Sequence, residues 1–89
     1  MLIAVNSEKV NEIQKYWNDK FPMMCMEECA ELALAISKHE RYSNEETLTN
    51  LKKEMADVII CISGLCEKYG ITNMDVAHYI LQKTEKRYE

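Results

Sequence analysis

The sequence predicts an all-α fold: one four-helix subunit that assembles as a helical-bundle oligomer. Three features carry this expectation. The 89 residues include only two glycines and one proline, too few to make the many turns of a β-rich chain. Apolar residues recur at three- and four-residue steps. Capping residues and breakers fall between those periodic stretches. With 47% hydrophobic and 29% charged residues, the composition is that of an ordered globule rather than a disordered chain. The length bounds it to a single domain over residues 1–89.

The first helix spans about Ser7 to Asp19, with Val10, Ile13 and Trp17 on one apolar face. Asn6 or Ser7 can cap it. The second starts near Pro22, whose missing N–H costs nothing in a first turn, and runs to about Arg41, roughly 30 Å. Tyr42 to Asn44 form a break. Ser43 with Glu46 resembles a capping box opening the third helix, which runs to about Lys68 and stops at Gly70. Thr72 with Asp75 caps a fourth helix that continues to the C-terminus.

The formal net charge is −4, and an acidic chain lacks the basic footprint of a nucleic-acid binder. The longest uncharged apolar stretch, Val58 to Cys66, is nine residues, far too short for a bilayer. The N-terminal MLIAVNSEKV has no basic n-region and no long apolar core, so no signal peptide is expected. The expected setting is cytoplasmic. Cys25, Cys29, Cys61 and Cys66 all fall in helical patterns and are expected as reduced core thiols rather than a disulfide framework or a zinc site.

Two helices are apolar on many sides. The second carries Met23, Met24, Met26, Leu32, Leu34 and Ile36; the third carries Val58, Ile59, Ile60, Ile62 and Leu65. One 89-residue subunit has little material to cover them, so a homo-oligomer is expected. Two-fold pairing can also bring basic residues of one copy toward acids of the other.

The acids carry the chemistry. Glu28 and Glu31 lie about 60° apart on the second helix, within a sector shared with Met24, Leu32 and Ala35. Glu54 and Asp57 share a sector with Val58, Cys61 and Leu65. Unpaired carboxylates in apolar stripes cost several kcal/mol, and two pairs facing each other repel. No lysine or arginine lies on those stripes. A divalent cation offsets the charge most simply. No histidine stands at the Glu-x-x-His spacing of di-iron bundles. An all-carboxylate set suits a hard ion, Mg²⁺ with Mn²⁺ as a substitute. Magnesium held this way recruits substrate phosphates.

The segments EECAE (Glu27 to Glu31) and EMAD (Glu54 to Asp57), with 22 residues between them, resemble the EExxE…ExxD signature of the MazG-like, all-α nucleoside triphosphate pyrophosphohydrolases. The likeness covers roughly Pro22 to Gly70, with Lys38 to Arg41 closing the first helix of the pair. It implies hydrolysis between the α- and β-phosphates, giving monophosphate and pyrophosphate, and a homodimer or dimer of dimers. By motif position it implies Glu28, Glu31, Glu54 and Asp57 as Mg²⁺ ligands and Glu27 as a supporting or water-orienting acid. Metal lowers the pKa of a bound water, and a carboxylate takes its proton, with Glu31 or Glu27 expected in that catalytic role.

Phosphate contacts are expected from Lys38 and Arg41 and from Lys83, Lys86 and Arg87. The C-terminal KTEKRYE departs from the family's Lys…Asn…Arg pattern because it has no asparagine. Trp17 is a candidate for stacking on a base, although its face with Val10 and Ile13 also suits core packing. A slow nucleotide- or metal-binding regulatory module of the same fold, or a plain helical oligomerisation domain, are the alternatives.

Overall fold

Asn6 opens the first helix, its side chain accepting a hydrogen bond from the Lys9 amide at 3.1 Å. The computed structural model describes residues 4–87, and side chains as far as Glu85. Helix α1 covers Ser7–Trp17. It ends where Asn18 takes a positive φ of 48°, and a single 3₁₀ turn, Asn18–Lys20, leads into α2, Phe21–Tyr42. Pro22 sits in the first turn of α2, where it removes only an amide that has no intrahelical partner. Helix α3 covers Glu45–Tyr69 and α4 covers Asn73–Arg87. No strand is present among the described residues.

Helices α2 and α3 form an antiparallel hairpin, and α1 packs against α3. One register runs the length of the hairpin. Phe21 faces Gly64, Cys25 faces Cys61, Glu28 faces Asp57, and His39 faces Thr47. The core is small. Phe21 is fully buried and packs with Cys25 and Cys61, flanked by Met24 and Leu65. Gly64 permits this packing, because a Cβ there would stand 2.2 Å from the Phe21 ring. Val10 is buried on α1 and Ala35 on α2. The molecule is only 22 Å thick along its shortest axis, about two helix diameters, so most helices keep one face in water.

Several expectations change. The capping box of α3 is Asn44 with Thr47, not Ser43 with Glu46: Asn44 Oδ1 accepts from the Thr47 amide at 2.8 Å, and the Asn44 amide donates to Thr47 Oγ1 at 3.2 Å. Ser43 instead ends α2 in the left-handed region, φ 44°, with its amide and hydroxyl both donating to the His39 carbonyl. The first helix stops two residues early, at Trp17. Trp17 is not core. It is 42% exposed and meets Tyr16 edge-on, because the face that buries Val10 does not continue past the break at Asn18. Cys29 is exposed rather than buried, although all four thiols are free.

Gly70, at φ 65°, ends α3 as expected, and Thr72 and Asp75 cap α4 reciprocally. Helix α4 does not join the core. Every residue from Ile71 to Glu85 is exposed, so the amphipathic face carrying Val76, Ala77, Ile80 and Leu81 finds no cover among the described residues.

Candidate metal centre

The register of the hairpin brings α2 and α3 acids together. One carboxylate oxygen from each of Glu28, Glu54 and Asp57 lies within 4.8 Å of the others, and all three residues are half-buried. Glu28 comes from the EECAE segment of α2, and Glu54 and Asp57 are neighbours at a three-residue step on α3. Phe21 against Gly64 sets how closely the helices approach on one side of this cluster. The His39 Nδ1 to Thr47 Oγ1 hydrogen bond, 2.9 Å, joins them on the other.

The electrostatics are those of an uncompensated cluster. Burial raises the Glu28 carboxyl above the usual carboxylate range, and the charges of Asp57, Glu54 and Glu31 push it the same way. Among the described residues the one ion pair is Lys9 with Glu12 at 3.7 Å, on the exposed side of α1, so none of these acids is paired to a cation. Glu54 Oε2 is sealed from solvent and has no hydrogen-bond partner among the described residues. A buried carboxylate oxygen left unsatisfied is costly. Three converging oxygen donors with such an orphan fit a hard divalent cation.

Glu31 and Glu27 stand apart from these three. Both are exposed, but Glu31 is close enough for its charge to raise Glu28. Lys38 and Arg41 are exposed near the end of α2, with the Arg41 guanidinium 5.8 Å from the Tyr42 ring centre. Lys83 is exposed on α4. The side chains of Lys86 and Arg87 lie outside the described residues. Trp17 sits at the end of α1, in contact with Tyr16.

An apolar concavity of about 460 Å³ lies between α1 and α3 and is lined by Val5, Val10, Ile13, Met55, Ile59 and Ile60 among others. No carboxylate borders it among the described residues.

Two contacts that fix this geometry are not visible in the acid spacing. They are Phe21 against Gly64 and His39 to Thr47. A glycine inside an otherwise strong helix, which costs about 1 kcal/mol relative to alanine, is the signal that marks the first. The second has no comparable signal in the sequence.

The buried thiols are inert by comparison. Burial raises Cys25 and pushes Cys61 up to about 12, so both remain protonated and neutral. No cysteine belongs to a metal-binding group among the described residues.

The model of the MazG nucleotide pyrophosphohydrolase domain matches residues 18–89, most of the chain. The chain therefore belongs to the MazG nucleotide pyrophosphohydrolase family. Searches of curated proteins and of solved structures find no match. No described helix is long and apolar enough to cross a membrane.

Proposed function

We propose that the chain is a Mg²⁺-dependent nucleoside triphosphate pyrophosphohydrolase, cleaving a nucleoside or deoxynucleoside triphosphate to the monophosphate and pyrophosphate. Membership of a pyrophosphohydrolase family supports a hydrolase at the coarse level. The observation that carries the finer reading is Glu54 Oε2, buried without a partner inside a three-carboxylate cluster. A carboxylate oxygen is kept in that state at a cost unless a cation meets it.

Glu28, Glu54 and Asp57 would hold Mg²⁺, with Mn²⁺ as a substitute. The ion, when bound, offsets charge on the phosphate oxygens and acidifies a coordinated water. Glu31 lies beside Glu28 but faces solvent, which leaves it available to complete the cluster or to accept the proton of an attacking water. Glu27, equally exposed, is the alternative for that role. Lys38 and Arg41 supply positive charge at the end of α2, where an approaching polyphosphate needs it. Lys83, exposed on α4, is a further candidate for phosphate contact.

Two measurements on one set of variants test the reading. Glu28→Gln, Glu31→Gln, Glu54→Gln and Asp57→Asn are each expected to abolish pyrophosphate release from a panel of nucleoside triphosphates. In the absence of metal each is expected to be as stable as the parent or more so, because removing one charge relieves repulsion. Mg²⁺ raises the melting temperature of the parent, since a ligand bound only by the folded state stabilises it, and this rise disappears in the Glu28, Glu54 and Asp57 variants. If those variants unfold and the parent ignores Mg²⁺, the acids are structural and the proposal fails. Mg²⁺-dependent stabilisation without turnover of any triphosphate would instead identify a binding module.

A further inference from the structure

The apolar concavity between α1 and α3 is separate from the metal centre. At about 100° per residue, Ile59 on its wall lies roughly 140° from Glu54 and roughly 160° from Asp57 around α3. The two places are therefore on opposite sides of that helix. The concavity encloses about 460 Å³, inside the range of about 300–1,000 Å³ of small-molecule sites. Its walls are aliphatic, with Val10 and Ile13 on α1 and Met55 and Ile59 on α3. Ile13 stays 37% exposed and Met55 43%, so the walls remain open to an apolar occupant that would displace water.

The charges at this groove run against those of the chain. The whole sequence carries a formal net charge of −4. Yet the charged residues lining the groove, among those described, are Lys9 and Lys52, one from each helix. Lys52 has no ion pair among the described residues, and Lys9 meets Glu12 only at 3.7 Å with both side chains well exposed, a contact of little strength. Size limits the occupant. Val5 to Ile13 on one side and Lys52 to Ile60 on the other each span eight residue steps, roughly 12 Å. A partner helix of ordinary length, about three turns or more, overruns a groove of two turns, whereas a short flexible chain fits it. A nucleotide fits poorly. Asn6 is the one uncharged polar side chain lining the groove among the described residues, and its Oδ1 already accepts from the Lys9 amide.

We infer that the α1–α3 groove binds an aliphatic monocarboxylate, with the hydrocarbon tail against Ile13, Met55 and Ile59 and the carboxylate at Lys9 and Lys52. Burial recognises the tail, which sets a preference for length. The unbranched Met55 side chain lets the wall follow it. Charge recognises the head, which sets a preference for an anion over a cation. The groove shares no residue with the acidic cluster, so the inference stands whether or not the acids bind metal or act on a nucleotide.

Isothermal titration of the full chain with octanoate, decanoate and dodecanoate, each below its micelle-forming concentration, tests it. Binding is expected to saturate at one molecule per chain. It is expected to tighten about fourfold for each two methylenes added, half of the full transfer value because one side of the groove stays open. Decylammonium is expected to bind several-fold more weakly than decanoate. Lys52 is exposed, so Lys52→Glu keeps the fold, and it is expected to weaken dodecanoate about fivefold by replacing an exposed ion pair with a like-charge contact. Glu28→Gln is expected to bind dodecanoate as the parent does, which separates the groove from the metal centre. A chain that takes up no dodecanoate overturns the inference, whether the groove stays open or another copy covers it. So does uptake that ignores Lys52→Glu and accepts decylammonium equally, which is unspecific adsorption, and so does uptake that is lost in Glu28→Gln.

Discussion

Replacing Gly64 by alanine probes the contact that sets the spacing of α2 and α3. An alanine Cβ at this position would stand 2.2 Å from Phe21 Cζ and 2.7 Å from Cε2, where ordinary contact begins near 3.4 Å. More than 1 Å of movement is therefore required. Phe21 has nowhere to go, being fully buried between Cys25, Cys61, Met24 and Leu65. Overpacking of this kind costs about 1–3 kcal/mol, and a rigid, fully buried ring belongs at the upper end. The gain in helix propensity returns about 1 kcal/mol. The expected net loss is about 1–2 kcal/mol, which lowers the melting temperature of a domain this size by roughly 4–16 °C. The displacement also bears on function. Gly64 and Asp57 share a face of α3, as Phe21 and Glu28 share one of α2, so pushing the helices apart widens the carboxylate cluster. Mg²⁺-dependent stabilisation is therefore expected to shrink in Gly64→Ala even though no ligand is changed. Thermal denaturation with and without Mg²⁺, at one fixed protein concentration, reads both effects. A neutral or stabilised variant with the parent's full metal response would refute the close-approach argument.

Two further predictions concern protons and caps. Burial first, and then the charges of Asp57, Glu54 and Glu31, raise the Glu28 carboxyl in the folded state. A carboxylate whose folded pKa lies above its unfolded value favours folding when protonated, so this contribution is present at low pH and is lost as pH rises through the raised value. Metal competes with the same proton, so stabilisation by Mg²⁺ is expected to grow with pH over that interval. Melting curves between about pH 4 and 8 check both trends, and Glu28→Gln flattens each of them. For the turn, Asn44→Ala is expected to cost about 1 kcal/mol, whereas Glu46→Ala stays within about 0.5 kcal/mol. Chemical denaturation separates the two, and the reverse order would return the capping box to Ser43 and Glu46.

How much of this was legible in the sequence depends on whether a feature is local. The starts and stops of the helices are local chemistry, so Asn6, Pro22, Gly70 and the Thr72–Asp75 pair read correctly. The cap of α3 misreads by one residue because Ser43 had two possible uses. Its hydroxyl and amide turn back to His39 and finish α2, which leaves Asn44 to begin α3. Helical spacing also foretells that Glu28, Glu54 and Asp57 share one space. It does not foretell that Glu31 is exposed: 60° from Glu28 places it at the edge of the stripe, where the width of the facing helix decides. The amphipathic face of α4 is plain in the sequence, but periodicity names a face and not what covers it. Trp17 fails for a related reason, since its membership of the Val10 face matters only if the helix continues beyond Asn18.

The acids do not hold the hairpin together; they oppose it. Two full charges within 4.8 Å repel by on the order of 3 kcal/mol at an effective dielectric of about 20, and the cluster contains three carboxylates with a fourth nearby. The shift of Glu28 shows the response, a proton retained more readily than usual in place of a cation. What keeps α2 and α3 together lies on either side of the acids: Phe21 seated on Gly64 and Cys25 on Cys61 toward one end, His39 bonded to Thr47 toward the other. None of these contacts involves a clustered carboxylate, so they do not depend on the cluster. A fold fixed by contacts outside the site can keep unsatisfied carboxylates converging on one point, with Glu54 Oε2 buried among them. A single charge-neutralising substitution then removes an opposing force and leaves the supporting contacts intact, which is why loss of metal response and retention of the fold are expected together.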